Sequence, residues 1–214
     1  MPHAAIKICG LSDAAGIDAA VQARADYAGF VFFPPSPRHL DLADAAGLAA
    51  RAEGRIRRVG LFVDASDATI AEALAAARLD ALQLHGKESA ERAAQVKARF
   101  GLPVWKALPV TTRDDVDRAG LYAGAADLVL FDAKTPGDAT RPGGMGLSFD
   151  WSLVAGWTGS LPWGLAGGLT PDNVAEAVRM TGAPLVDTSS GVESSPGVKD
   201  RERIMRFAAA VRGS

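Results

Sequence analysis

The chain has 214 residues, 48% of them hydrophobic and 22% charged, with 23 basic and 25 acidic side chains and a formal net charge of -2. That length supports a sizeable buried core, and that composition excludes a disordered, collagen-like or coiled-coil chain. The near-balance of charge gives no electrostatic footprint for nucleic acid or an acidic membrane. No apolar run reaches the roughly 18 residues of a bilayer span, and Met1-Pro2-His3-Ala4 does not open a secretory signal. One cysteine makes no internal disulfide, and three histidines leave little for a metal site. A cytoplasmic protein without structural metal is expected, with one thiol, Cys9, to be explained.

Short apolar runs recur along the chain at residues 5–9, 27–33, 58–63, 81–84, 104–108, 127–131, 162–166 and 184–188. Several are almost continuously apolar, as in parallel strands covered on both faces. Between them lie Ala-rich segments with helical spacing. Ile70, Ala73, Leu74 and Ala77 share one helix face, and Ile204, Phe207, Ala208 and Val211 another. Ser12, Ser66 and Thr170-Pro171-Asp172 supply helix-start signals, and residues 149–155 make the weakest helix.

Eight strands alternating with eight helices predict a single (β/α)8 TIM barrel over residues 1–214. The structural alternative is an open doubly wound sheet. Against it, Gly10-Leu11-Ser12 after the first strand is no Gly-x-Gly-x-x-Gly turn. The connection from Ala133 to Ser148 carries Pro136, Gly137, Pro142, Gly143, Gly144 and Gly146, and is a candidate active-site lid as well as a plain surface loop.

In such a barrel the chemistry lies at the C-terminal strand ends. Those ends deliver Cys9, Ser36-Pro37-Arg38, Asp64, His85, Lys106, Asp132, Gly167-Gly168 and Ser189-Ser190-Gly191. The pairs Gly167-Gly168 and Ser190-Gly191 follow strands seven and eight, where barrels commonly bind phosphate through close main-chain N–H groups. Cys9 is either a small buried hydrophobe or, with positive charge nearby, a base. Asp132 ends an apolar run and suits a general acid; a salt bridge to Lys134 or Arg141 is the plainer role. Arg38 follows three prolines, a stiff mount for gripping a carboxylate, and the alternative is a solvated arginine. His85 suits a supporting role at the rim. Asp64 either contacts a ligand or caps the helix near Ser66. Lys106 is a Schiff-base lysine only in principle.

Lys7-Ile8-Cys9-Gly10-Leu11, Gly29-Phe30-Val31-Phe32 with Ser36-Pro37-Arg38, Leu82-Gln83-Leu84-His85-Gly86, Gly143-Gly144-Met145-Gly146, Leu165-Ala166-Gly167-Gly168-Leu169 and Ser190-Gly191-Val192-Glu193 occur in this order. Together they resemble phosphoribosylanthranilate isomerase, from residue 6 to about residue 200. The resemblance implies an Amadori rearrangement in tryptophan biosynthesis, with phosphoribosylanthranilate as the small-molecule substrate and neither metal nor cofactor. Carried over by motif, Cys9 is the general base and Asp132 the general acid. Arg38 holds the anthranilate carboxylate, and Gly144, Gly167, Gly168, Ser190 and Gly191 hold the phosphate. Asp64 stands where that family commonly has asparagine, and Met145 where threonine is frequent. Two rivals remain: the related isomerase of histidine biosynthesis, which carries aspartates at both catalytic strand ends, and a phosphate-binding protein on a retired barrel. No nucleic acid or membrane partner is expected, and the chain is expected to be a monomer or a homodimer.

Overall fold

Parallel strands need both edges hydrogen-bonded, and eight of them meet that need by closing on themselves. The computed structural model describes residues 3–133, 146 and 148–214. In it, β1 (Ala5–Cys9), β2 (Tyr27–Phe32), β3 (Arg57–Phe62), β4 (Ala81–Leu84), β5 (Val104–Val110), β6 (Leu128–Ala133), β7 (Trp163–Leu165) and β8 (Leu185–Thr188) form a closed barrel in chain order. Every neighbouring pair is parallel, and β8 returns to β1 with Ile6 opposite Val186 and Lys7 opposite Asp187. This is the (β/α)8 TIM barrel.

The crossovers are α1 (Ala14–Gln22), α2 (Leu42–Ala52), α3 (Asp67–Ala77), α4 (Ala90–Phe100), α5 (Arg113–Asp117), α6 (Val174–Thr181) and α7 (Arg201–Arg212). Side chains cap five of the first six turns in the same way. Asp13, Asp41, Ser66 and Ser89 each accept a backbone N–H three residues on, and Thr112 forms a capping box with Asp115. Asp200 caps α7 likewise.

Three expectations shift. The cap of α1 is Asp13 and not Ser12, because the Asp13 carboxylate takes the Gly16 N–H at 2.6 Å. The sixth crossover carries, among the described residues, only a 3-10 turn at Trp151–Leu153 in place of an eighth α-helix. Thr170-Pro171-Asp172 forms a turn ahead of α6. Asn173 holds it by accepting from Thr170 N–H and donating to Gly168 C=O, so the helix starts at Val174.

Alternate residues of each strand face opposite ways. One set, including Ile6, Ile8, Phe30, Phe62, Leu82, Phe131 and Val186, packs outward with the helices, where Phe207 and Ile204 of α7 are also fully buried. The other fills the barrel floor with Val59, Ala81, Trp105, Ala107, Leu130 and Leu185.

Truncating Phe207 to Ala removes a fully buried ring from the α7 seam, and is expected to cost about 3–5 kcal/mol in denaturant unfolding. Gly47, inside α2, has open space where a Cβ would stand, so Gly47→Ala is expected to stabilise by about 0.5–1 kcal/mol in the same experiment.

Candidate active site

Above the apolar floor the inward positions turn polar. Lys7, Gln83 and Asp187 occupy the inner face just below the strand ends, and Cys9, His85 and Asp132 stand at or within one residue of the ends of β1, β4 and β6. The closed strand order therefore sets the thiol of β1 and the carboxyl of β6 across one mouth.

Cys9 is buried with Val31 and Leu61, and Phe33 and Val63 pack around them. Burial pushes its pKa above that of an ordinary thiol. The Lys7 ammonium, and less strongly that of Lys199, pull the other way, while the Asp187 carboxylate adds to the rise. The nearby positive charge expected at this thiol is present, but desolvation outweighs it.

Asp132 is 8% exposed. One carboxylate oxygen, Oδ1, accepts the Ala133 N–H at 2.8 Å, and the other, Oδ2, faces His85 Nε2 at 3.2 Å. Gln83 Nε2 lies 3.0 Å from His85 Nδ1. With the amide donating there, the ring proton sits on Nε2 and points at the acid. His85 thus backs Asp132 directly. Gly167 has φ +84°, and a Cβ on it would collide with the Ala133 backbone and lie 3.0 Å from Asp132 Oδ1. This second position past β7 has to be glycine for the acid to keep its place. Lys134 and Arg141, the alternative partners for Asp132, lie outside the described residues.

Arg38 is neither solvated nor on a loose loop. It is 5% exposed, and its Nε and one Nη bond the two oxygens of Glu193, each at 2.7 Å. Glu193 also takes the Lys199 ammonium at 2.6 Å. Burial works against this carboxylate's charge, yet the Arg38 guanidinium and Lys199 together hold its pKa below the usual range. Gly10, at φ +71°, lets the Arg38 side chain cross directly over the end of β1, beside Cys9.

The two glycine clusters expected to bind phosphate adjoin each other. The Thr188 hydroxyl donates to Leu169 C=O at 2.7 Å, and Gly191 packs against that same carbonyl. Ser190–Val192 forms a short 3-10 turn after β8. Gly144 lies outside the described residues, as does most of the candidate lid between Ala133 and Ser148.

Asp64 caps no helix, since Ser66 does so. Its Oδ1 accepts the Lys87 N–H at 2.7 Å, and its own N–H donates to Glu88 at 2.8 Å, so it ties the end of β3 to the turn after β4. Lys106 points outward, pairs with buried Glu88 at 3.0 Å and donates to Gly86 C=O at 2.8 Å. It has no access to the mouth as a Schiff-base lysine.

Four participants escape sequence reasoning: Lys7, Asp187, Glu193 and Gln83. Lys7 carried a usable signal. A lysine inside an apolar strand, in phase with Cys9, must face inward and needs an anion.

Comparison with known proteins agrees with this geometry. The family model described as N-(5'-phosphoribosyl)anthranilate (PRA) isomerase matches residues 6–210. A curated protein of Rhodospirillum rubrum named N-(5'-phosphoribosyl)anthranilate isomerase is 56% identical, over 99% of both chains. The crystal structure of phosphoribosyl anthranilate isomerase from Thermotoga maritima superposes with a TM-score of 0.87 at 34% identity, covering 99% of this chain and 100% of that one. A further solved isomerase, in complex with reduced 1-(o-carboxyphenylamino)-1-deoxyribulose 5-phosphate, has a TM-score of 0.82 at 31% identity, covering 99% of this chain and 100% of that one. The chain belongs to the N-(5'-phosphoribosyl)anthranilate isomerase family.

Proposed function

We propose that Cys9 and Asp132 are the base and acid with which this chain rearranges N-(5'-phosphoribosyl)anthranilate to 1-(2-carboxyphenylamino)-1-deoxyribulose 5-phosphate. The observation that carries the assignment is their placement. Both lie on the inner face at C-terminal strand ends, on strands one and six of a closed ring, so a substrate in the mouth has one on each side.

Asp132 gives its proton to the furanose ring oxygen, the C1–O bond breaks, and the anilino nitrogen lone pair forms the C1=N bond of a Schiff base. Cys9 then takes the C2 proton, and the electrons of that bond move to give the enolamine. Proton transfer from the C2 hydroxyl to C1 leaves the ketone. Substrate and product are isomers, so no net oxidant or reductant enters. Positioned proton transfers of this kind each contribute about 10² to 10⁴ in rate.

Arg38, fixed by Glu193, is the residue for the anthranilate carboxylate, since a guanidinium held by one carboxylate is already oriented for another. The adjoining loops at Gly167-Gly168 and Ser190-Gly191 take the phosphate. Gly144 joins them by motif alone. The histidine-pathway alternative fits less well, because a thiol stands at the end of β1 where that enzyme has a carboxylate. No helix among the described residues is long and apolar enough to cross a membrane. A reduced thiol as base suits the cytoplasm, and we place the chain there as one barrel domain.

Turnover is read as loss of the substrate's anthranilate fluorescence. Cys9→Ala and Asp132→Ala are each expected to lower kcat by about 10²-fold or more while the circular dichroism spectrum is kept. Near-native kcat in a folded variant rejects that residue's role. Arg38→Ala is expected chiefly to raise KM.

The raised Cys9 pKa gives a sign to the pH profile. The base works as thiolate, so kcat/KM should still be climbing with pH above about 8.5, the value of a free thiol. A plateau from neutrality upward contradicts the assignment. Gly167→Ala, which displaces the Ala133 backbone next to Asp132, should lower kcat by about 10²-fold with a smaller change in KM.

A further inference from the structure

Lys7 is completely buried, two residues before Cys9 on the same inner face of β1, so it stands one inward-facing position below the thiol. Directly opposite it on β8, in register, stands Asp187, 7% exposed, whose Oδ2 accepts the Lys7 ammonium at 2.7 Å. The other oxygen, Oδ1, is buried and takes no hydrogen bond from any described group. A charged pair closes a strand seam no better than apolar residues would, and breaking one by half leaves a costly lone charge. Its place under Cys9 calls for another reason. In a dry interior, charges at this range act strongly on a neighbouring ionisable group.

We propose that Lys7 and Asp187 act as an opposed pair of positioning charges on Cys9, the ammonium holding the thiolate in place and the carboxylate restraining it. Neither is a catalytic residue; both act through the thiol. The proposal rests on the reading of Cys9 as the base, and gives that base its means of ionising in an apolar pocket.

Among the described residues, the groups facing Cys9 from each packed element are few. Lys7 on β1 and Lys199 near the start of α7 favour the thiolate, and Asp187 on β8 disfavours it. Arg38 crosses over Gly10, bound to Glu193. Val31 on β2 and Leu61 on β3 contribute only desolvation. The same carboxylate of Asp187 also acts electrostatically on Asp132 and His85, so it lies within reach of both sides of the mouth. Burial alone would pull the Lys7 ammonium down. The facing Asp187 and Cys9 more than offset this, so it stays charged.

The chain holds a single cysteine, so the ultraviolet absorbance of its thiolate reports Cys9 alone, with Cys9→Ala as blank. Titrated in the full-length protein, Asp187→Asn is expected to lower the midpoint, and Lys7→Met to raise it, each by about one pH unit or more. A pair that serves only to close the barrel would alter the unfolding midpoint and leave the thiol titration in place. Unmoved midpoints, or shifts of the same sign in both variants, overturn the proposal. If Lys7→Met does not fold, the double variant Lys7→Met/Asp187→Asn buries no lone charge and replaces it. Its midpoint must lie above that of Asp187→Asn; an equal or lower one again overturns the proposal. None of these readings depends on turnover, so a failed assay with the expected titrations would reject the catalytic role of Cys9 and leave the charge pair standing.

Discussion

Each strand of a parallel barrel is satisfied only when both its edges are paired, and that requirement is met last where β8 closes on β1. The seam joins residues some 180 positions apart and decides what the site can be. It sets Lys7 against Asp187, and it brings the Ser189 hydroxyl onto Cys9 C=O at 3.0 Å. Just above it, the β9 (Glu193–Ser195) and β10 (Val198–Lys199) hairpin delivers Glu193 to Arg38, 155 residues earlier. Without closure these charges would be exposed and unrelated.

Among the described residues, three buried ionic groups follow from this frame and serve separate ends. Lys106 and Glu88 lie outside the barrel wall and pin the turn after β4, with Tyr122 donating to Glu88 C=O at 2.8 Å. Arg38, Glu193 and Lys199 fix a guanidinium beside the mouth. Lys7 and Asp187 lie under the thiol. Buried pairs contribute little net stability, because desolvation offsets most of the attraction. What they supply is fixed orientation and local field, which catalysis by proton transfer needs.

The strands were legible because each is a short apolar run bounded by turn residues. All observed ends fall within two residues of the expected ones, and the largest extensions are β5 to Val110 and β6 to Ala133. Helix starts were less so. Ser12 and Asp13 are both good caps, and only the backbone path chooses between them. Residues 149–155 were weak in periodicity and carry a 3-10 turn at Trp151–Leu153. Cys9, Asp132 and Arg38 could be named from strand-end position and motif. Their partners could not, since Glu193, Gln83 and Asp187 acquire meaning only through register and closure. Arg38 shows the difference well. Its prolines predicted a rigid mount, but the rigidity owes much to a carboxylate far along the chain.

The central claim is that Cys9 takes the C2 proton of the substrate. It is tested most directly with phosphoribosylanthranilate carrying deuterium at C2 of the ribose. The wild-type protein should show a primary isotope effect on turnover. Cys9→Ala should still bind the substrate, seen in its fluorescence, yet fail to remove the deuterium. Undiminished loss of deuterium without the thiol would contradict the account.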